Sequence, residues 1–359
     1  MPEGPGGGRE GLSGIRIIGM GHALPERRVA NGELTAYMDT SDEWIRTRTG
    51  IRERRICGPG ESQSRLAVSA AKEALERSGA DPDEIGLVIA ATSSPDYLLP
   101  STACLVMQEL GIPSGIPAFD LNAACTGFIY ALQTADAFLS YRDMHPESRA
   151  DGERPLALLI GAEQYSDMLD FSDRETSILF GDGAAAAVVR REAGIRFFSH
   201  TAAEGNREAL SARCLGRNQL TAAGEGGPVW AHPDEDGKKA LLEEAYLHMN
   251  GRQVFRFATG VLAGEIRRME RVSGVRAEDT DGIVCHQANR RIIDHVRRQM
   301  HLGEELFPMN LDVCGNTSAA SIPLLLYELI RGGKIRAGSR IFCVGFGAGL
   351  TWGSAYLEF

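Results

Sequence analysis

The chain predicts an α/β fold made of two related halves, and three observations carry that reading. Short apolar stretches that suit buried strands alternate with runs whose apolar residues recur at helical spacing. The order of helix, glycine and strand found early in the chain returns in its second part. The 359 residues are 43% hydrophobic and 24% charged, an ordinary globular balance with length for one large duplicated body.

Taken in order, residues 1–14 are Gly- and Pro-rich with no apolar run and read as a disordered leader, not a signal peptide. A first half follows over 15–190 and a second over 191–359. In the first, Leu66, Ala67, Ala70, Ala74 and Leu75 mark one helix face, and Gly79 falls where a C-terminal cap belongs. An acidic stretch then leads into an apolar strand at 86–91. A strand-like stretch at 116–121 runs through small residues to Cys125, after which Phe128, Ile129, Leu132, Ala135 and Leu139 keep a helical period. Residues 158–161 form another short strand, and Gly181-Asp182-Gly183 opens the apolar run 184–189.

The second half repeats this plan. Val261, Leu262, Ile266 and Met269 precede Gly274, and an acidic stretch again leads to a strand, here ending at His286. Residues 309–311 with Asn316 and a helix parallel 119–121 with Cys125, while 341–345 parallels 158–161. Gly347-Ala348-Gly349 before 352–359 parallels the Gly181 turn. Two segments interrupt the repeat. Residues 142–154 are polar and read as a surface loop; 203–236, Gly-rich and too long for a tight connection, read as a functional flap or cover.

Bulk properties exclude several classes. A net charge of −10 argues against nucleic acid as the main partner. The longest apolar run, 184–189, is too short to span a membrane. Seven cysteines with no C-x-x-C pair indicate neither a disulfide framework nor a zinc site, and a reduced, cytoplasmic protein without a bound metal is expected.

Cys125 is the first candidate for chemistry. A cysteine in an apolar stretch is ordinarily core. This one opens a helix, where unpaired N–H groups and the positive end of the helix dipole favour an anion and shift a thiol toward the nucleophilic thiolate. His286 ends an apolar strand before Asn289, a good N-cap for the next helix. Asn316 follows Gly315 and precedes Thr317-Ser318, another helix-start signature. Singly, His286 reads as a hydrogen-bonded structural histidine and Asn316 as a cap. Together, three strand-to-helix junctions at the face where α/β folds collect ligands describe a site.

These blocks resemble the active-site segments of β-ketoacyl-acyl carrier protein synthase III, the initiating condensing enzyme of bacterial fatty acid synthesis in the thiolase superfamily. They are Cys125, His286-Gln287-Ala288-Asn289 and Gly315-Asn316-Thr317-Ser318-Ala319-Ala320. The resemblance extends to 40–51, to Phe180-Gly181-Asp182-Gly183-Ala184 and to 345–353, and so covers 15–359.

The resemblance implies a thiolase-like, five-layer αβαβα fold, a homodimer, and decarboxylative Claisen condensation. Cys125 takes the acyl group of an acyl-CoA primer. His286 and Asn316 donate to the thioester oxygen of malonyl-acyl carrier protein, which requires a neutral His286 with its N–H facing the site. Backbone N–H groups of Cys125 and Ala348 form the oxyanion hole. Coenzyme A enters as a thioester substrate; no permanently bound cofactor is implied. Trp44 resembles the residue that stacks on the CoA adenine, with Arg48 and Arg174 near the nucleotide. Glu175 departs from the glycine usual after the arginine and sets an anion there. Phe255 resembles a lining residue of the pantetheine tunnel, with Asn289 at its mouth. Arg256, Arg291, Arg297 and Arg298 are candidates for a basic patch that meets an acidic carrier protein. Leu99 matches the position that reaches across the dimer to close the acyl pocket.

Two other readings stay open at this point. One is a specialised acyltransferase or condensing enzyme of polyketide or secondary metabolism. The other is a Cys-His-Asn peptidase, although Cys125 lacks the surroundings of papain-like enzymes.

Overall fold

The computed structural model describes residues 13–145, 147, 154–212 and 246–359. Nearly all of the expected leader, Cys214 and most of the 203–236 segment lie outside the described residues.

The first half contributes β1 (Ser13–Ala23), β2 (Arg28–Ala30), β3 (Glu53–Arg55), β4 (Ile85–Ala91), β5 (Ala118–Leu121), β6 (Leu156–Glu163) and β7 (Gly183–Ala193). The second contributes β8 (Phe198–Asn206), β9 (Leu210–Ser211), β10 (His248–Met249), β11 (Gly282–Cys285), β12 (Arg340–Gly347) and β13 (Gly349–Glu358). The helices are α1 (Asp42–Thr49), α2 (Gln63–Ser78), α3 (Thr102–Leu110), α4 (Gly127–Met144), α5 (Gly251–Ser273), α6 (Arg290–Gln299), α7 (Leu311–Cys314) and α8 (Ser321–Arg331).

Two sheets repeat one topology. The first runs β1-β7-β6-β4-β5 and the second β8-β13-β12-β11. In each, two strands pair in parallel, β4 with β6 and β11 with β12, and the pairings beyond β6 and β12 are antiparallel; β5 adds a further parallel strand to the edge of the first sheet. Every residue of β4 and β6 is buried, which is why these strands read as unbroken apolar runs.

α4 and α8 lie between the sheets, packing Phe128, Ile129 and Leu132 with Ile322, Leu325 and Leu326 against Ile15, Leu159, Cys343 and Leu357. α2 and α3 cover the outer face of the first sheet through Ala67, Ala70, Ala74 and Val106. α5 and α6 cover the second through Leu262, Ile266, Ile293 and Val296. This is the expected αβαβα layering. Gly79 and Gly274 close α2 and α5 with the same left-handed geometry, φ 68° and ψ 12°.

Local departures have physical causes. β5 begins at Ala118 because Pro117 offers no N–H to the ladder. Residues 309–311 form no strand. The Asn310 N–H donates to Gln287 Oε1 at 3.2 Å and its amide to Glu328 Oε1 at 3.0 Å, turning the chain into α7. β7 continues to Ala193, beyond the expected seam at 190, and Gly194 (φ 80°) makes the turn. α4 extends through Met144 into the segment read as a loop. Residues 203–206 belong to β8, and Leu210–Ser211 pairs with His248–Met249, so the described start of the expected flap is strand. Among the described residues no helix is long and apolar enough to cross a membrane, and no group of three His, Cys, Asp or Glu side chains could hold a metal ion.

Candidate active site

Both halves build the same tight turn into a helix. After β5, Asn122 Oδ1 accepts the Ala124 N–H at 3.2 Å, Ala124 takes φ 47°, and a 3-10 turn over Ala124–Thr126 leads into α4. In the second half Asn316 Oδ1 accepts the Ser318 N–H at 2.9 Å, Ser318 takes φ 47°, and the turn Ser318–Ala320 leads into α8. A positive φ at a residue with a side chain is strained, so its recurrence at both junctions marks an imposed geometry. The residue equivalent to Asn316 is therefore Asn122, and Cys125 corresponds to Ala319. The sequence parallel between Cys125 and Asn316 is out of register.

Cys125, His286 and Asn316 nonetheless converge on the wall of one cavity of about 1320 Å³. All three are buried. For Asn316, the backbone N–H donates to Leu179 O at 2.8 Å and its carbonyl accepts the Gly181 N–H at 3.0 Å. With Oδ1 held by Ser318, the amide NH2 is left to donate. Gly315 makes the approach with φ 68°, and a Cβ there would sit 3.0 Å from Leu179 O and 3.2 Å from Arg54 Cβ. Arg54, fully buried, underpins this loop by donating to Val29 O, Asn31 Oδ1 and Ile178 O at 2.8–3.1 Å.

His286 leaves β11 with its N–H donating to Val344 O at 2.8 Å and its ring edge-on to Phe346 at 5.4 Å. Burial pushes its pKa down to about 3, so the imidazole is neutral. Nδ1 lies 2.6 Å from Ser321 Oγ, which is also 2.7 Å from Ser318 O. A hydroxyl has one proton. Given to Ser318 O, it makes Nδ1 the protonated nitrogen; turned to Nδ1, it leaves Nε2–H as the donor. The expected donor role belongs to the second setting.

The expected shift of Cys125 toward thiolate is not found. Burial pushes the thiol up to about 12, offset only in part by the Ser318 hydroxyl and the turn's backbone, and the Glu163 carboxylate adds to the rise. Desolvation outweighs the helix start, so the thiol rests protonated. Gly347, at the end of β12, leaves room for the Cys125 backbone: a Cβ on it would lie 2.8 Å from the Cys125 nitrogen.

The outer cavity wall gathers most of the expected substrate contacts. Trp44, Arg48, Arg174, Phe255, Arg256, Asn289 and Arg291 all line it. Arg48 Cζ stands 4.2 Å and Arg174 Cζ 5.2 Å from the Trp44 ring centroid. Arg174 also donates to Asp39 O at 3.0 Å. Glu175, exposed, lines the same wall. Asn289 caps α6, its side chain accepting the Arg291 N–H at 2.8 Å.

Four of the expected residues stand off this wall. Arg297 is turned aside: it pairs with Asp294 at 3.0 Å and Glu304 at 3.7 Å and does not line the cavity. Arg298 is exposed on the last turn of α6, also off the wall. Ala348, in the turn between β12 and β13, lines a second cavity of about 990 Å³ with Ala123, Ala124 and Leu98. Leu99, 84% exposed, lines neither cavity of this chain.

Sequence reasoning missed Glu163 and the structural part played by Ser318 and Ser321. Glu163 ends a buried apolar strand, and that abrupt charge was the available signal. Ser318 donates to Glu163 Oε1 at 3.0 Å and lies 3.0 Å from the Tyr165 hydroxyl.

Comparison with known proteins matches this geometry. Residues 119–205 match the family described as 3-oxoacyl-[acyl-carrier-protein] synthase III, and residues 271–359 match its C-terminal part. The chain is 40% identical over 351 residues to the β-ketoacyl-[acyl-carrier-protein] synthase III of Clostridium acetobutylicum, covering 97% of this chain and 99% of that one. The solved 3-oxoacyl-[acyl-carrier-protein] synthase III of Aquifex aeolicus is similar at TM-score 0.81 and 38% identity, over 96% of this chain and 100% of that one. The priming β-ketosynthase of the R1128 polyketide pathway is similar at TM-score 0.83 and 32% identity, over 99% of each chain. No peptidase reading survives a match of this length. The chain belongs to the β-ketoacyl-[acyl-carrier-protein] synthase III family.

Proposed function

We propose that this protein condenses an acyl-CoA primer with malonyl-acyl carrier protein, releasing carbon dioxide and giving 3-oxoacyl-acyl carrier protein, the initiating step of fatty acid synthesis. One observation carries the reading: Cys125, His286 and Asn316 line one buried cavity in a chain 40% identical to such a synthase over 351 residues.

The reaction divides into two half-reactions at one sulfur. Cys125 Sγ attacks the primer thioester carbonyl, coenzyme A leaves, and the acyl group stays on Cys125. Backbone N–H groups of Cys125 and Ala348 receive the developing oxyanion, the former kept accessible by Gly347. Malonyl-carrier protein then enters by the same mouth. Loss of carbon dioxide puts negative charge on its thioester oxygen, which the Asn316 NH2 and the His286 Nε2–H receive, the Ser321 hydroxyl having turned to Nδ1. Such preorganised donors in a dry site are each worth about 2.7–4 kcal/mol of barrier. A neutral His286 suits this role, since a proton carried by an imidazolium would quench the enolate. The enolate carbon attacks the acyl carbonyl, and the C–S bond to Cys125 breaks.

At the mouth, Trp44 between Arg48 and Arg174 offers a face and cations for the adenine nucleotide, with Phe255 and Asn289 along the pantetheine arm. Arg256 and Arg291 present positive charge where an acidic carrier would dock. A homodimer is part of the reading: exposed Tyr97, Leu98 and Leu99 form an apolar cluster suited to reaching a partner's acyl pocket. A reducing, cytoplasmic setting accords with a thiol that must stay free.

The test is intact-protein mass spectrometry after exposure to a panel of acyl-CoAs. One acyl increment on the protein and none on Cys125→Ala is expected; no labelling by any member overturns the reading. The likeness to a polyketide priming enzyme supports a second reading with the same chemistry and a different carrier. Turnover with polyketide but not fatty acid carrier protein selects it.

A further inference from the structure

The first half-reaction needs a destination for the Cys125 proton, and the mechanism above leaves it unassigned. A thiol buried this deeply does not ionise into bulk water. Beside it stands a fully buried carboxylate that the condensation itself does not use. Glu163 ends β6 inside the protein, bridged to Cys125 by one hydroxyl. Ser318 Oγ stands close enough to the Cys125 sulfur to interact with it, and it donates to Glu163 Oε1 at 3.0 Å.

The carboxylate is held as an acceptor. Ser93 N–H and Ser94 N–H donate to Oε2 at 3.0 and 3.1 Å, Ser94 Oγ at 2.6 Å and Thr92 Oγ1 at 3.2 Å, while Ser93 Oγ donates to Oε1 at 3.1 Å. The titratable groups that face it are Cys125, across Ser318, and Tyr165, from the turn after β6. Both are neutral at rest, since burial raises each. Burial likewise raises the Glu163 carboxyl above its ordinary value, bringing it closer to the thiol.

We propose that Glu163, acting through the Ser318 hydroxyl, stores the Cys125 proton between the two half-reactions. The inference rests on Cys125 being the acylated nucleophile. In acylation the S–C bond forms as the bond from the primer carbonyl to the coenzyme A sulfur breaks. The thiol proton passes to Ser318 Oγ, and the Ser318 proton passes to Glu163 Oε1. Coenzyme A departs as thiolate and takes a proton from solvent. In condensation the enolate carbon bonds the acyl carbon and the electron pair of the broken C–S bond returns to Sγ. Glu163 gives its proton back through Ser318, restoring thiol and carboxylate. Glu163 is thus a positioning residue for a proton, kept out of contact with substrate.

The test compares single-turnover acylation of Cys125 across pH 5–10 in wild type, Glu163→Gln and Ser318→Ala, using the acyl-CoA that labels wild type fastest. Ser318→Ala keeps the carboxylate, the Ser318 N–H on Asn316 and the carbonyl on Ser321. Alanine also fits φ 47°, as its equivalent Ala124 does. Release of carbon dioxide from malonyl-carrier protein is followed in parallel. We expect each variant to acylate about 100-fold more slowly at pH 7. Each should also lose the wild-type plateau, its rate instead rising tenfold per pH unit, while carbon dioxide release stays within about threefold. An anion that merely sits beside the thiol raises the thiol pKa, so Glu163→Gln would then acylate as fast as wild type or faster; that result overturns the proposal. An equal fall of both half-reactions, the mark of a purely structural role, overturns it too. A wild-type protein that takes no acyl group refutes the underlying function reading instead.

Discussion

Gly347→Ala separates the proposed oxyanion hole from the rest of the site. The new Cβ would stand 2.8 Å from the Cys125 nitrogen, 3.1 Å from Thr351 Oγ1 and 3.3 Å from the Thr126 nitrogen. Two of these neighbours are backbone amides at the start of α4, held by Thr126 N–H to Ala123 O at 3.2 Å and by Thr126 Oγ1 to Ala123 O at 2.6 Å. The turn cannot rotate away cheaply, so it must shift or the methyl must block the Cys125 N–H. Overpacking of this kind costs about 1–3 kcal/mol of stability. Losing one oxyanion donor slows its step by about 10²–10³-fold. The asymmetry is the prediction. Acylation of Cys125, read by quenched single-turnover mass spectrometry, should fall by about 10²-fold or more. Carbon dioxide release from malonyl-carrier protein, proposed to depend on His286 and Asn316, should fall less than tenfold. Wild-type acylation by Gly347→Ala, with the protein folded, would refute the assignment of that N–H.

Asn316→Asp keeps the Oδ1 bond to Ser318 but replaces the NH2 donor with a second oxygen, and should cut carbon dioxide release by about 10³-fold while sparing acylation by comparison. Trp44→Ala removes the face flanked by Arg48 and Arg174 and should raise KM for acyl-CoA by about tenfold with kcat little changed, as steady-state kinetics would register. His286 has its folded pKa lowered to about 3, so between its unfolded value near 6.5 and pH 3 the unfolded state binds the extra proton and stability falls as pH falls. Urea unfolding of wild type should therefore lose about 2 kcal/mol more than His286→Asn between pH 6.5 and 4.5, and equal losses would contradict the burial argument. Arg54→Ala strips three donors from buried carbonyl and amide oxygens beneath the Asn316 loop. It should lower unfolding free energy by about 3 kcal/mol by the same assay.

Much of this was legible in the chain. Gly79 and Gly274 announce helix ends because a left-handed cap admits few other residues, and the structure closes both helices with identical dihedrals. The unbroken apolar runs at β4 and β6 announce strands covered on both faces. What misled was local pattern without tertiary context. Residues 309–311 carry an alternation that suits a strand, yet the bonds that Asn310 donates to the Gln287 and Glu328 side chains bend them into α7. The helix start at Cys125 predicts thiolate, but the sequence does not say how deeply a residue is desolvated, and that energy is the larger. Arg297 and Arg298 lie on the same helix as Arg291, and only the fold shows Arg297 committed to Asp294 and Glu304. Glu163 was written plainly at the end of an apolar strand. Its connection to Cys125 runs through Ser318, a residue 155 positions away, which no local pattern encodes.

In the proposed reaction one sulfur holds the acyl group between two half-reactions. The most direct test of this loads Cys125 with an isotopically labelled acyl group, removes free acyl-CoA, and adds malonyl-carrier protein. The label should leave the protein and appear at the 3-oxo end of the carrier-bound product, with one carbon dioxide released per label transferred. Label that stays on Cys125 while carbon dioxide is released, or that leaves as free acid, would contradict it.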